Sequence, residues 1–462
     1  MARAVVIGAG IGGLTAAVAL QRRGWEVTVF ERAPSLEPVG SGLAVAANAL
    51  RALDTIGAGD EIRRLSAVQG EAGVRRADGR WLMRTTEEAT SAEYGDSVVL
   101  LRRTELVDAL CARLAPGTVR LNTTVAKVDP DSGRVTVRTA SPWPDPADGP
   151  GTGLEPDAGA APAGDRGTGS GAAPMAGRET GSETVPTADR ETGSGAAPAD
   201  GPKAVGVSEV TADLVVAADG IHSPTRSALF PGHPGPRYSG VTSWRLLIPG
   251  GGRPGQTFES WGDGKVFGVM PLAGGMAYCY ATDTVPAGGG GGGDQRAELL
   301  RLFGKWHDPI PALLAEVTPE NVLRNDVHYL ATPPPAMHRG RVALLGDAAH
   351  AMTPNLGQGA CQAIEDAVVL AHIVGDGEAA GTVDGLNLDS YTAARLERTA
   401  KIVARSAGIC RATRIRNPLA VRLRDAMMAL TWRLAPARLN GAMDEVLGWA
   451  PPTPTATTAT PE

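Results

Sequence analysis

The first 31 residues carry the pattern that most restricts the fold of this chain. Ala4–Ile7 is an apolar run typical of a buried strand, and the glycine-rich segment Gly8–Gly13 and an apolar helical run follow it. Gly24 ends that helix, and Glu26–Phe30 has the composition of a second strand. A strand, a tight loop, a helix and a second parallel strand form a βαβ unit. The sequence therefore predicts an α/β fold that contains a Rossmann-type domain.

The glycines have the G-x-G-x-x-G spacing of a dinucleotide-binding loop. Gly8 allows the tight turn, Gly10 lets the backbone approach a pyrophosphate, and Gly13 lets the helix pack on the strand. Glu31 follows about 20 residues later, where a carboxylate binds ribose hydroxyls and repels a 2′-phosphate. These residues predict an adenine dinucleotide, but they do not distinguish FAD from NAD.

A second motif near residue 350 favours a flavin. Val342–Leu345 has the composition of a buried strand, Gly346-Asp347 ends it, and Gly357-Gln358-Gly359 opens a helix from Ala360 to about Val374. An acidic residue at a strand end can bind a sugar hydroxyl. The free N–H groups of a helix N-terminus favour an anion, such as the N1–C2=O edge of a reduced flavin. We predict a ribityl chain on Asp347 and a flavin ring on Pro354–Gly359. An ordinary strand–helix unit with glycine caps is the alternative.

A third motif lies between these two. Ala212–Ala218 is another apolar strand, and Asp219-Gly220 ends it. Ser223 and Arg226 follow at the start of a short helix. Asp219 could bind hydroxyls or pin its own loop, and Arg226 could hold that carboxylate or a phosphate. A strand that ends in an Asp-Gly turn without any ligand gives the same pattern.

The three motifs together resemble those of single-component FAD-dependent aromatic hydroxylases, whose type member is para-hydroxybenzoate hydroxylase. Leu356–Ala360 with Ala363–Ala367 is more similar to the branch of salicylate hydroxylase, 3-hydroxybenzoate 6-hydroxylase, urate hydroxylase and zeaxanthin epoxidase. Arg103 matches the family arginine that precedes a helix and reaches FAD. Trp244-Arg245 matches a Trp-Arg element of the substrate-domain sheet. The resemblance covers nearly all of residues 1–450, apart from an insertion at residues 140–203.

This resemblance implies a Rossmann-type FAD-binding domain interleaved with a β-sheet substrate domain, followed by C-terminal helices. The expected divisions are 1–70, 98–139, 204–236 and 325–388 for the FAD-binding domain, 71–97 and 237–324 for the substrate domain, 389–450 for the helices and 451–462 for a disordered tail. The expected residues at a non-covalently bound FAD are Gly8, Gly10, Ile11, Gly13, Glu31, Arg32, Arg103, Asp219, Gly220, Arg226, Gly346, Asp347, Pro354, Gly357, Gln358 and Gly359.

The resemblance also implies a reaction. NAD(P)H reduces FAD, O2 forms a flavin C4a-hydroperoxide, and one oxygen atom enters an aromatic, phenolic or polyketide-like substrate. Arg245 is the one catalytic candidate, as a ligand of a carboxylate, a phenolate or the peroxide; a solvated sheet arginine is the alternative. Tyr238 and Tyr280 are candidates for the pocket lining. His350 is a candidate base, although a role in helix packing fits it better.

Other functions fit parts of this pattern. A flavin-dependent epoxidase, or a prenyl-chain or other flavin oxidoreductase that does not hydroxylate a ring, would need the same cofactor motifs. A flavin halogenase would need a Trp-x-Trp-x-Ile motif, which Ser243–Ile248 does not supply. A carrier without flavin chemistry would not need Asp347 and the Gly357–Gly359 loop.

Residues 140–203 differ from the rest of the chain, because they are rich in Gly, Ala, Pro and Thr and nearly free of large apolar side chains. A twelve-residue pattern recurs there as Asp165–Pro174, Gly177–Pro186 and Asp189–Pro198. Such a composition cannot bury enough apolar surface to offset the loss of chain entropy. We predict a disordered insertion in an exposed hairpin loop between Arg134–Arg138 and Ala204–Val207. A partner-binding segment is the alternative.

The composition sets wider limits. A length of 462 residues suggests two domains, and a net charge of −6 with a pI near 5.8 gives no reason to expect nucleic acid. The four cysteines have no metal or redox spacing, which is typical of buried thiols in a reducing cytoplasm. No apolar run is long enough to span a membrane. We expect a cytoplasmic monomer or homodimer without a metal.

Overall fold

The structure is a computed structural model that describes residues 1–36, 41–66, 71–139, 206–250, 256–289, 292–377, 386–434 and 443–452. The predicted insertion at 140–203 and nearly all of the predicted tail at 451–462 lie outside these ranges. The strands are β1 Arg3–Ile7, β2 Glu26–Phe30, β3 Gly42–Val45, β4 Glu71–Arg76, β5 Trp81–Thr86, β6 Val99–Arg102, β7 Val119–Arg120, β8 Thr123–Asp129, β9 Arg134–Thr139, β10 Gly206–Thr211, β11 Leu214–Ala217, β12 Arg237–Ile248, β13 Gln256–Trp261, β14 Lys265–Leu272, β15 Met276–Asp283, β16 Val322–Tyr329, β17 His338–Arg339 and β18 Val342–Leu344. The α-helices are α1 Ile11–Gln21, α2 Ala47–Thr55, α3 Gly59–Arg64, α4 Glu87–Tyr94, α5 Arg103–Cys111, α6 Pro224–Leu229, α7 Gln295–Phe303, α8 Ile310–Ala315, α9 Asp347–His350, α10 Gly359–Val374, α11 Leu388–Thr413 and α12 Pro418–Leu434.

A six-stranded sheet in the order β17-β18-β11-β1-β2-β7 forms the first domain. Its four middle strands β18, β11, β1 and β2 run parallel, and β1-α1-β2 is the βαβ unit that the glycine pattern predicts. Ile7 pairs with Ala217, and Ala217 pairs with Leu344. The three motifs follow these aligned residues directly, so they meet at one edge of the sheet, where such folds bind ligands.

A seven-stranded sheet in the order β16-β12-β15-β14-β13-β4-β5 forms the second domain. β13, β14 and β15 make the meander that their turns predict, but β12 pairs with β15 and not with β13. The chain therefore crosses two strands between β12 and β13. Trp244 and Phe267 lie on the back of the sheet, in a core with Leu299, Phe303 and Leu314 from α7 and α8.

The α/β fold class is confirmed, while the exact domain division stays a prediction. The boundary predicted at residue 325 falls inside β16, which runs from Val322 to Tyr329 and belongs to the second sheet. β4 and β5 join that sheet from the predicted segment 71–97. Cys279, Cys361 and Cys410 are buried, as expected, but Cys111 is only half-buried.

The strands on either side of the predicted insertion are neighbours. β9 and β10 pair in antiparallel fashion, with Thr139 opposite Gly206. The ends of the segment between them therefore lie side by side, as a hairpin requires. None of the described helices is long and apolar enough to cross a membrane. In the described ranges, no group of three or more His, Cys, Asp or Glu side chains is placed to hold a metal.

Candidate active site

In the loop after β1, the backbone conformation or the close packing explains why Gly8 and Gly13 have no side chain. Gly8 has a φ of 99°, and a Cβ on it would lie 2.5 Å from the carbonyl oxygen of Ala218. A Cβ on Gly13 would lie 2.0 Å from the carbonyl oxygen of Gly8. Gly10 faces open space, because a Cβ on it would meet no atom nearer than Arg103 Nη2 at 3.9 Å. The loop is thus closed on the protein side and open above the N-terminus of α1, which Ile11 begins.

Arg103 borders this open space. It begins α5, and its Nε is enclosed without any hydrogen-bond partner within the described structure. An enclosed N–H group normally has a partner, so this one suits an anion placed above Gly10. Burial lowers the pKa of Arg103; the nearby Asp347 charge opposes this shift, and the Arg245 charge adds to it. These three charges therefore belong to one cleft.

Asp347 begins α9, and its charge acts on Arg103 in that cleft. Its side chain is accessible to solvent, yet surrounding protein raises the pKa of its carboxyl group by desolvation, against the opposing charges of His350 and Arg103. Its carboxylate makes no hydrogen bond to any described residue. Asp347 is therefore an acceptor without a donor, as a ligand hydroxyl would require.

Asp219 also has a carboxylate oxygen that no described residue contacts with a hydrogen bond. Its Oδ2 accepts a hydrogen bond from the Thr225 N–H at 3.1 Å, while its Oδ1 is enclosed and has no partner among the described residues. Gly220, with a φ of 83°, follows it and has no atom near its Cβ position. One oxygen thus pins the loop, and the other can accept a hydrogen bond from a ligand.

Arg226 is held by backbone carbonyl oxygens. It is buried, and it donates to the carbonyl oxygens of Ala348 at 2.9 Å and Ile221 at 2.8 Å. Ala348 follows the Gly346-Asp347 motif, and Ile221 follows the Asp219-Gly220 motif. Among the described residues, the Arg226 side chain forms no hydrogen bond with Asp219. The Arg226 guanidinium therefore connects the Asp219-Gly220 motif to the Gly346-Asp347 motif. Direct contact of Arg226 with a phosphate stays a prediction.

Glu31 and Arg32 lie at the adenosine end of the predicted site. The Glu31 carboxylate accepts hydrogen bonds from the backbone N–H groups of Ala9 and Ala33, each at 2.8 Å. These bonds fix the carboxylate beside the glycine loop and leave part of its acceptor capacity for a ribose. Arg32 is exposed to solvent. Its contact with a cofactor stays a prediction.

The loop before α10 presents its backbone to the cleft. Pro354 begins a 3-10 turn, Gly357 follows with a φ of 62°, and Gly359 begins α10 with no atom near its Cβ position. The Gln358 side chain is buried and accepts hydrogen bonds from Asn48 Nδ2 at 3.0 Å and Gln362 Nε2 at 3.2 Å. Only the backbone of Gln358 is therefore available to a cofactor, and its side chain supports the loop from below.

A buried ionic network, which the sequence did not reveal, lies beneath both flavin motifs. Arg395 of α11 donates to Asp366 Oδ1 and Glu365 Oε2, each at 2.6 Å. Glu365 also accepts from Arg398 Nε at 2.8 Å and from Asn48 Nδ2 at 2.6 Å. The signal was present in the Ala363-Ile-Glu-Asp-Ala367 run, where two acids interrupt an apolar helix. Their partners could not be read from it.

Asp366 connects this network to the Gly346-Asp347 motif. Its Oδ2 accepts from the Gly346 N–H at 2.9 Å and contacts His350 Nε2 at 2.5 Å. Burial raises the pKa of Asp366, but His350 and Arg395 outweigh it and lower that pKa to about 2. His350 is thus held against Asp366 through Nε2, while its Nδ1 is enclosed without a partner among the described residues. Its expected role, as a base or in packing, stays a prediction.

The front of the seven-stranded sheet completes the cleft. Arg245 pairs with Tyr280 and lies on the opposite face from buried Trp244. It donates from Nη2 to Asn325 Oδ1 at 2.7 Å. An apolar cluster joins this face to β3 and β6; its members are Leu100, Leu272 and Tyr278, with Ala44, Val98, Leu247, Met270, Met276 and Tyr280 packed around them. Tyr238, by contrast, donates to the Val285 carbonyl oxygen and does not belong to this cluster.

Comparison with known proteins decides the family. Residues 6–36 match the model of an NAD(P)-binding Rossmann-like domain, and residues 310–406 match that of an FAD binding domain. The aurachin C monooxygenase/isomerase of Stigmatella aurantiaca is 34% identical over 430 residues, which are 92% of this chain and 93% of that protein. The chain belongs to the FAD-dependent monooxygenases.

Further relatives of this monooxygenase agree with that assignment. The FAD-dependent urate hydroxylase of Klebsiella pneumoniae is 29% identical over 376 residues, 80% of this chain and 81% of that protein. The crystal structure of Klebsiella pneumoniae HpxO with FAD and uric acid has a TM-score of 0.73 and 26% identity, and covers 96% of this chain and 97% of that one. The predicted family, enzyme class and FAD cofactor are confirmed.

The residues of this monooxygenase fit FAD. The space above Gly10 beside Arg103 suits the pyrophosphate, and the donor-free carboxylate of Asp347 suits the ribityl chain. The bare N-terminus of α10 suits the flavin ring. Two enclosed polar atoms without a partner among the described residues, Arg103 Nε and Asp219 Oδ1, border this site, and a polar ligand bound there would satisfy them.

Proposed function

We propose that this monooxygenase hydroxylates an electron-rich aromatic or heteroaromatic ring that carries an oxygen substituent. One observation supports this most: the apolar cluster around Tyr278 lies between the flavin-side strands β3 and β6 and the front of the second sheet. Apolar side chains of this kind would cover the face of a planar ring bound beside them. Three relatives are named for urate, for 3-amino-4-hydroxybenzoate and for 2-heptyl-3-hydroxy-4(1H)-quinolone, and each of these compounds contains a ring of this kind.

Each wall of the cleft has its own part in the proposed reaction. FAD, when bound, supplies the redox chemistry that uses NAD(P)H and O2, which we propose as the co-substrates. Tyr278, Met270 and Leu100 exclude water from the reacting face. Arg245, held by Asn325, binds the oxygen substituent and orients the ring. NAD(P)H is a cytoplasmic reductant, so we propose that the enzyme works there, as a monomer or homodimer.

A substrate panel tests this proposal. Purified FAD-loaded enzyme would be mixed with NADH or NADPH and with urate, 3-amino-4-hydroxybenzoate or 2-heptyl-4(1H)-quinolone under ¹⁸O2. We expect at least one ring to stimulate O2 consumption and to yield a product that carries one ¹⁸O atom. Oxidation of NAD(P)H that releases only hydrogen peroxide with every ring would contradict the proposal.

Replacing Arg245 tests its assigned role. We expect Arg245→Ala to keep FAD and to lower kcat/KM by about 10- to 150-fold, because a charge-assisted hydrogen bond contributes about 1.5–3 kcal/mol. Arg237→Ala is the matched control, since Arg237 is an exposed arginine at the start of the same strand. Product formed per NAD(P)H oxidised would be measured for both. Unchanged coupled hydroxylation in Arg245→Ala would place Arg245 outside the substrate site.

A further inference from the structure

Glu259 is a carboxylate in the substrate sheet that the cofactor site does not use. It lies on β13, and both of its oxygens accept hydrogen bonds: Oε1 from the Tyr280 hydroxyl at 3.0 Å and Oε2 from Trp261 Nε1 at 2.6 Å. Burial raises the pKa of Glu259, against these two hydrogen bonds. Within the described part of the chain, no Arg, Lys or His forms an ion pair with it.

The strand register places Glu259 on the same face as Arg245. Arg245 pairs with Tyr280, Tyr280 with Gly268, and Gly268 with Glu259, so these residues form one row across β12, β15, β14 and β13. Paired residues share a face of the sheet. With strands about 4.8 Å apart, the backbone positions of Arg245 and Glu259 are about 14 Å apart. The row therefore has a cation at one end and a carboxylate at the other.

Gly268 explains how Tyr280 spans this row. A Cβ on Gly268 would lie 2.1 Å from Cζ of Tyr280, so the tyrosine ring lies directly over the glycine. Only a residue without a side chain allows the ring to cross β14 and reach Glu259. The ring thus forms a flat apolar floor between the two charged ends, next to Tyr278.

Two donors do not use all the acceptor capacity of this carboxylate. Tyr280 and Trp261 each bond a different oxygen, and the charge is desolvated with no cationic partner among the described residues, which is a costly arrangement for a group that serves only as a support. An ionised carboxylate has about four acceptor positions, and Tyr280 and Trp261 use two of them. Glu259 is partly accessible to solvent, and the strand register puts its side chain on the Arg245 face of the sheet, from which a donor in the cleft would approach it. An extra donor from outside the chain would satisfy the remaining acceptor positions.

We propose that Glu259 is a specificity-determining residue that accepts a hydrogen bond from a ring N–H or O–H of the substrate. This inference rests on the proposed function, because it concerns the same cleft. Arg245 binds the oxygen substituent at one edge of the ring, and Glu259 binds the donor at the other. The enzyme then selects rings that carry both groups over rings whose donor is alkylated.

Binding to the FAD-loaded enzyme without NAD(P)H tests this selection. The probes are 2-heptyl-4(1H)-quinolone with its N-methyl analogue, and 4-hydroxybenzoate with 4-methoxybenzoate, each titrated by the change in flavin absorbance. We expect the wild type to bind one donor-bearing probe at least about tenfold tighter than its alkylated partner. Glu259→Gln should reduce this preference and Glu259→Leu should abolish it, while the exposed control Asp263→Asn keeps it.

Tyr280→Phe separates recognition from support. If Glu259 only positioned Tyr280, this variant would lose the preference as fully as Glu259→Leu; we expect it to keep the preference for the donor. An equal preference in the wild type and Glu259→Leu, or no binding of either donor-bearing probe, would overturn the assignment. Because no turnover is needed, a preference that persists without product formation would count against the proposed reaction and not against Glu259.

Discussion

Arg395→Met should lower the free energy of unfolding by about 3–5 kcal/mol, because it removes one partner of a buried ionic network. Arg395 is fully buried and forms ion pairs with Glu365 and Asp366, which are fully buried themselves. Methionine fills a similar volume but leaves Asp366 with only His350 and the Gly346 N–H. The cost is that of an uncompensated charge in a medium that solvates it poorly. Denaturant unfolding of the FAD-free protein measures it.

Two further variants make this result specific. Lys401→Ala removes a cation from the same helix, but its pair with Glu397 is exposed, so unfolding should not change measurably. Arg395→Met combined with Asp366→Asn should recover part of the loss, since the unpaired carboxylate is then neutral. If Arg395→Met unfolded like the wild type, the network would contribute nothing beyond the packing of its side chains.

The fold followed from the sequence because its signals were local. Each motif directly follows an apolar run, and parallel strands that lie side by side bring their carboxyl ends to one edge. The positions of Gly10, Asp219 and Asp347 in one cleft therefore needed only the correct strand order. The helix after Gly359 was equally predictable, since a glycine pair and an apolar run mark its start.

The buried ionic network and the row that contains Glu259 could not be predicted, because they join residues that are far apart in the chain. Arg395 is 29 residues from Asp366, and Asn48 is 317 residues from Glu365; no spacing rule connects them. The motif around Arg226 shows its charge but not the backbone carbonyl oxygens that it contacts. Glu259 stayed unnoticed for a similar reason, since its row across the sheet exists only once β12 is placed beside β15.

Asp347→Ala should lose bound FAD during purification. The carboxylate is accessible and has no hydrogen-bond donor among the described residues, and the ribityl hydroxyls of FAD would supply one. Losing that acceptor costs about 1–3 kcal/mol of binding free energy, a factor of about 5 to 150 in the dissociation constant. Asp347→Asn keeps one oxygen acceptor and should lose less. Asp60→Ala is the control, because Asp60 is highly exposed on α3. The ratio of flavin to protein absorbance after desalting, and titration of the apoprotein with FAD, measure the effect.

The stability of the apoprotein shows whether Asp347 serves the ligand or the fold. Desolvation raises the pKa of its carboxyl group, so the ionised form is less stable in the folded apoprotein than in the unfolded chain. A carboxyl group with a raised pKa destabilises the fold as the pH rises through its ordinary range, and alanine removes this cost. Asp347→Ala apoprotein should therefore melt at or above the wild-type temperature at pH 7, even though it binds FAD poorly. A variant that melts lower and binds FAD normally would show that Asp347 stabilises its own loop and does not hold the cofactor.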